Sequence, residues 1–202
     1  MRLYQMQNSG NCYKPRLLAH QLGLSLDLID VDMLKGETRK PAFLAKNPNG
    51  RVPLLELDDG RMLPESNAML FYLADGARFL PEDRFARAEA LQWMFFEQYS
   101  HEPYIAVARF WQSIAPEIPP AQAARFPEWH EKGYAALGVM EGHLATRPFF
   151  AADRYSIADI ALYAYTHVAH EGGFSLARFP HVTAWLARVA GEPGHVPMDW
   201  RP

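Results

Sequence analysis

Three side chains capable of polar or nucleophilic chemistry fall within four positions near the start of the chain: Ser9, Asn11 and Cys12 in "NSGNCYKPR" (8–16). Cysteine is the obvious nucleophile, because its thiolate attacks where a hydroxyl needs an activating base. Cys12 is also the only cysteine in 202 residues. A lone thiol cannot close an internal disulfide, form a C-x-x-C redox pair or build a zinc site from several thiolates. The competing readings are structural: a small, partly buried residue at a helix start for Cys12, and a turn residue for Ser9. Further along, Glu65 and Ser66 in "LPESNAMLFYL" (63–73) stand just before a helical pattern. Free N–H groups and the dipole favour an anion there, so Ser66 would bind a carboxylate while Glu65 faces an ammonium. The same serine also reads as a plain helix cap. His167, His170 and Glu171 have a spacing that permits a metal. Histidines on an apolar helix more often pack or face solvent, and no metal is expected.

The elements that must position these groups change in kind along the chain. "RLYQM" (2–6) is short and apolar enough for a strand, and "KPRLLAHQLGL" (14–24) has helical spacing with Pro15 in a first turn. "LSLDLIDVDM" (24–33) alternates like a strand, and "KPAFLAKN" (40–47) reads as a short helix closed by the turn "NPNG". "RVPLLELDDGRMLPES" predicts two strands around Asp59-Gly60, and 65–76 a helix ending at Gly76. The order is β-α-β-α-β-β-α. After "ARFLPEDR" (77–84) strand signals stop. Helices are predicted over 84–111 with a bend near Pro103, then, past a proline-rich break at 114–122, over 125–147, 156–172 and 178–194. Within the third, Ser156 and Asp159 have the spacing of a capping box, a folding role for the acid.

Composition excludes several classes. A formal charge of -3 gives no basic footprint for nucleic acid. No apolar run approaches the roughly 20 residues needed to cross a bilayer. The opening "MRLYQMQNSG" lacks the apolar core of a secretory signal, so a cytoplasmic location is expected.

This layout and its motifs resemble the cytosolic glutathione S-transferase superfamily over nearly the whole chain. Three local matches occur in order: "NPNGRVPLLE" (47–56), "LPESNAMLFYL" (63–73) and "SIADIALYAY" (156–165). The resemblance implies an α/β plus all-α protein, with a thioredoxin-like glutathione-binding domain over 1–76, a linker at 77–83 and an all-helical domain over 84–202. It implies a cis Val52–Pro53 bond, leaving the Val52 backbone to pair with an extended peptide as an added strand would. It also implies glutathione as co-substrate, whose γ-glutamyl end carries the ammonium and carboxylate that Glu65 and Ser66 would meet.

In such a protein the nucleophilic sulfur arrives with the ligand. A free thiol is only a few per cent thiolate at neutral pH, and lowering its pKa by about two units takes roughly 2.7 kcal/mol of preferential stabilisation. A hydroxyl or amide donor at the positive end of a helix would supply it. Theta- and delta-like members place a serine where Ser9 falls. Some bacterial members use an asparagine, as at Asn11, and beta-like members a cysteine, as at Cys12. Lys35, Arg39 and Arg51 are candidates for the glycine carboxylate of glutathione, since Thr38 occupies the position where many members carry histidine. Each also reads as a solvated charge. The electrophile pocket is expected between the domains, with His101, Tyr104, Ala108, Phe110, Trp111 and Arg109 as candidates. The leading expectation is a transferase acting on small hydrophobic electrophiles, and a homodimer. The alternatives are a glutathione-dependent disulfide or peroxide reductase, or a non-catalytic interaction module.

Overall fold

The computed structural model describes residues 1–202. They form two compact units, Met1–Ala77 together with Pro193–Pro202, and Arg78–Glu192. The first is a thioredoxin-like α/β unit and the second is helical. The last ten residues, expected with the helices, belong to the first unit.

In the first unit the strands are β1 (Arg2–Gln5), β2 (Asp27–Asp30), β3 (Leu54–Glu56) and β4 (Met62–Pro64), in sheet order β2-β1-β3-β4. β1 runs parallel to β2 and antiparallel to β3, with Leu3 opposite both Leu28 and Leu55. Leu3, Leu54 and Leu55 are wholly buried. The parallel pair needs a crossover, supplied by α1 (Gly10–Gln21). The β3–β4 hairpin closes as predicted, the Leu57 N–H donating to the Arg61 C=O at 2.9 Å around Asp59-Gly60. A short α2 (Pro41–Leu44) and α3 (Ser66–Leu73) complete the order, α3 packing against α1.

α1 starts four residues earlier than the pattern predicts, which places Pro15 in its interior. The reason is the cap: the Cys12 N–H donates to Ser9 Oγ at 3.3 Å, fixing the helix start at Gly10. That capping offsets the ladder bond that a proline cannot donate.

The helical unit comprises α4 (Arg84–Phe96), α5 (Glu102–Arg109), α6 (Pro120–Ala123), α7 (Phe126–Leu144), α8 (Ile157–Thr166) and α9 (Pro180–Ala190). Two wide π turns, Glu97–His101 and Phe110–Ile114, follow α4 and α5. The first falls where a bend was expected, just before Pro103. Proline has no N–H for the Tyr99 carbonyl, and the helix widens there, with the Glu102 N–H reaching Glu97 O. The capping box of α8 is complete. Asp159 is wholly buried and its carboxylate accepts from Ser156 N–H, Ser156 Oγ, Phe150 N–H and Trp185 Nε1, all at 2.9–3.2 Å. Burial pushes its pKa up to about 7 against the pull of those four donors. No helix is long and apolar enough to cross a membrane.

Candidate functional site

The β1–α1 loop folds onto itself before the helix begins. Ser9 N–H donates to Met6 O at 3.1 Å, and Met6 N–H points at Cys12 Sγ at 3.4 Å. Ser9 is the N-cap, half-buried, and its hydroxyl acts as acceptor toward Cys12 N–H. A hydroxyl carries one hydrogen as well as its lone pairs. Accepting at the cap therefore leaves the Ser9 hydroxyl its own hydrogen to donate. α1 has no acidic residue in its first turn, so nothing there offsets its positive end.

Cys12 faces the other way. It is wholly buried in an apolar cluster with Val31, Phe43, Val52 and Leu54. Burial pushes its thiol pKa up, against smaller opposing pulls from Met6 N–H and Ser9. Thiolate character and access are both what a reactive cysteine needs, and Cys12 has neither. Asn11 is turned toward α3: its Oδ1 accepts from Ser66 Oγ at 3.2 Å. Ser66 Oγ in turn accepts from the buried Lys14 Nζ at 3.4 Å, which also reaches Asn67 Oδ1 at 3.2 Å. Asn11, Ser66 and Lys14 thus form one polar seam between α1 and α3.

At the start of α3 the structure separates the two readings of Ser66. The residue in the cap position is Glu65, at φ 70° and ψ 112°, and its side chain makes no capping bond. Ser66 is the first helical residue. The first N–H groups of any helix have no intrahelical acceptor, and the Glu65 side chain does not cap them. Glu65 is exposed and held in a region that non-glycine residues avoid, at a cost of order 1–3 kcal/mol. The Val52–Pro53 bond is cis. Val52 lies just before the β-ladder, which begins at Leu54, so its backbone polar groups take no part in the sheet, while its side chain packs on Cys12.

The three basic candidates do not converge. Lys35 is exposed and pairs with Asp32 at 3.1 Å. Arg39 lies over the 47–50 turn, its Nη1 donating to Asn49 O at 3.1 Å, close against Gly50. Arg51 is exposed, and its carbonyl accepts from Asn47 Nδ2 at 2.8 Å. Thr38 is buried.

The pocket candidates of the helical unit divide. His101 is wholly buried, its Nε2 2.9 Å from Thr166 Oγ1. Ala108 is wholly buried, and the chain at Gly172 runs so close that a Cβ there would sit 2.8 Å from the Arg109 backbone nitrogen. Arg109 Nε donates to Glu171 Oε2 at 2.8 Å. These three are buried in the helical unit, where they pack and pair. Tyr104 and Trp111 keep partial exposure, Tyr104 beneath the Lys132 ammonium and Trp111 edge-on to Phe110. His167 stacks on Tyr163 with ring centroids 4.5 Å apart, and Glu171 is held by Arg109.

Sequence reasoning passed over Gln7, Lys14 and Arg16. Lys14 and Arg16 are buried cations on α1, and Gln7 is tied to the end of the chain. No local pattern marks them.

A thioredoxin-like unit with a capped serine at its first helix, a cis X-Pro bond before its third strand and a separate helical unit define a class, and comparison with known proteins agrees. The glutathione S-transferase N-terminal domain family model matches residues 1–75 and the corresponding C-terminal domain model residues 113–193. A crystal structure of a glutathione S-transferase from Pseudomonas fluorescens is 54% identical, with a TM-score of 0.94 over 98% of both chains. Glutathione S-transferase 3 of Zea mays is 31% identical over 96% of this chain and 90% of its own length. The disulfide-bond oxidoreductase YfcG of Escherichia coli is 30% identical over 91% of this chain and 87% of its own. The chain belongs to the glutathione S-transferase family.

Proposed function

We propose that the protein is a glutathione transferase that binds glutathione at the first unit and stabilises its thiolate with Ser9. The observation that carries this is the Ser9 hydroxyl itself, which caps α1 as an acceptor and so keeps its hydrogen for an anion at the positive end of the helix. The Val52 backbone pairs with the peptide, while Glu65 and Ser66 hold the γ-glutamyl ammonium and carboxylate. Arg39 and Arg51, flanking the turn that leads to Val52, are the better placed cations for the glycine carboxylate; Lys35 is already paired. The thiol releases its proton to solvent. The thiolate then attacks an electrophilic carbon, displacing a leaving group or adding to an activated alkene that is protonated in turn. Tyr104 and Trp111 are the remaining candidates to contact the electrophile.

A second reading has its own support, the relationship to the Escherichia coli disulfide-bond oxidoreductase. Here the bound thiolate attacks a disulfide sulfur and expels one thiolate. A second glutathione then resolves the mixed disulfide as oxidised glutathione. The burial of Cys12 favours glutathione, rather than the protein, as the sulfur that carries this bond. The homodimer expected of the family is supported by Phe85, Phe95 and Tyr99, which lie on one helical face and are 71–83% exposed; sedimentation at the monomer mass would overturn it.

The test is a thiolate absorbance titration of bound glutathione. The wild type should show a thiol pKa well below the free value of about 8.5. Ser9→Ala should raise it by about one to two units, with a matching 10- to 100-fold loss of kcat/KM at neutral pH. Ser9→Thr should retain most of both. Absence of glutathione binding, or a Ser9→Ala variant with an unchanged thiol, would overturn the proposal. Aryl halides, enals, disulfides and hydroperoxides as second substrates separate transferase from reductase.

A further inference from the structure

The last ten residues run back along α1, from its final turn to the loop that precedes it. Gly194 O meets His20 Nδ1 at 2.9 Å, Val196 O accepts from Tyr13 Oη at 2.6 Å, and Met198 O accepts from Arg16 Nη2 at 2.9 Å. The Trp200 ring sits edge-on to His20 at 4.6 Å, and Arg201 Nη2 pairs with Asp30 at 2.8 Å.

The contacts converge on Gln7, two residues before Ser9. Its Nε2 donates to Met198 O at 2.9 Å and Trp200 O at 3.2 Å. Its Oε1 accepts from Gln5 Nε2 at 3.3 Å and Arg201 Nη1 at 3.4 Å. Its backbone carbonyl accepts from Arg16 Nη2 at 2.8 Å, the same nitrogen that holds Met198 O. Arg16 is 2% exposed, and its Nε and Nη1 have no acceptor in the chain, so these two carbonyls are what holds the guanidinium in place. A buried cation with so few partners is costly unless the geometry that pairs it is kept. The segment is therefore bonded through both ends of Gln7 to the loop that presents the Ser9 hydroxyl, alongside the loop's own bonds from Ser9 N–H to Met6 O, Met6 N–H to Cys12 Sγ and Cys12 N–H to Ser9 Oγ.

We propose that residues 193–202 act as a strap that holds Gln7, and through it Ser9, in the geometry that stabilises the glutathione thiolate. Gln7 and Arg16 are positioning residues of the reaction. The proposal rests on the Ser9 reading above. Glutathione itself is held by groups on other elements, Val52, Glu65 and Ser66, so loosening the strap acts on the thiol more than on binding.

The experiment uses the full chain with Gln7→Met, which keeps the side-chain length and removes its donors, and the double variant Gln7→Met/Arg201→Ala. Docking of the strap is read from the Trp200 indole resonance, assigned by its loss in Trp200→Phe. The expected result is a displaced Trp200 resonance, a bound-thiol pKa raised by about one unit and about a tenfold fall in kcat at neutral pH. Glutathione KM should change less than twofold, and activity should recover at alkaline pH. A change in overall stability alone would not move the pH profile. A strap that stays docked in the double variant overturns the proposal, and so does a displaced strap with an unchanged thiol pKa. An unshifted thiol in the wild type overturns the Ser9 reading and this one with it. A shifted wild type with unshifted variants overturns this one alone.

Discussion

Replacing Cys12 with alanine removes one sulfur from a wholly buried apolar cluster and takes away the acceptor of Met6 N–H. The lost transfer free energy is about 0.8 kcal/mol, by analogy with one buried methylene. A cavity of about 20 Å³ adds roughly 0.5 kcal/mol, and the weakened Met6 contact adds up to about 1 kcal/mol. The variant should therefore be about 1–2 kcal/mol less stable by urea denaturation and retain full turnover with glutathione. The same burial predicts that Ellman's reagent does not label the native protein. If labelling requires an opening of about 5 kcal/mol, it should run on the order of 10³–10⁴ times slower than with an exposed thiol. The raised thiol pKa slows it further. Cys12→Ser should be at least as destabilised, because a hydroxyl placed among Val31, Phe43 and Leu54 needs a partner they cannot offer. Rapid stoichiometric labelling of the native protein would refute this reasoning. So would a Cys12→Ala variant that folds normally but fails to turn over disulfide substrates.

Two further outcomes follow from the same geometry. Asp159 has its folded pKa raised from 3.8 to about 7, so its favourable contribution is complete below about pH 4 and is lost as pH rises toward 7. Denaturation across that range should show a fall of the order of 4 kcal/mol in wild type that is missing in Asp159→Asn; equal pH slopes would refute it. That variant should also be less stable throughout, since its amide NH₂ faces donors that a carboxylate accepts. Glu65→Gly should be about 1 kcal/mol more stable than Glu65→Ala, because glycine adopts φ 70° without a Cβ clash. Both should bind glutathione more weakly by calorimetry, and equal stabilities would show that the backbone there is unstrained.

The element order was legible because its signals are local. A hairpin turn containing Asp59-Gly60, a capping box at Ser156 and Asp159, and a change from period two to helical spacing after residue 77 each act within one element. The cis bond at Val52–Pro53 was expected from the family resemblance of the motif around it, not from a local preference. Boundaries were legible only where no distant partner set them. Pro15 marks a helix start by its own preference, yet Ser9, six residues earlier, supplies the cap. Pro103 marks a disturbance of the helix, but nothing in the sequence says that it takes the form of a π turn.

For the site, the sequence by itself put Ser9, Asn11 and Cys12 in one loop and Glu65 and Ser66 before one helix. Only the tertiary structure distinguished them. It buries Cys12 against Phe43 and Leu54, turns Asn11 onto Ser66 fifty-five positions away, and keeps Ser9 half-buried as the cap of α1. It also turns Ala108 and Arg109 into the helical unit and ties Gln7 to a carbonyl 191 positions along the chain. The physical reason is the same in each case. Helix, strand and turn preferences are properties of a residue and its near neighbours, whereas burial and hydrogen-bond partners are set by whatever packs across from it. A serine and a cysteine three residues apart on one helical turn meet different surroundings, one half-buried at the cap and the other wholly buried among apolar side chains.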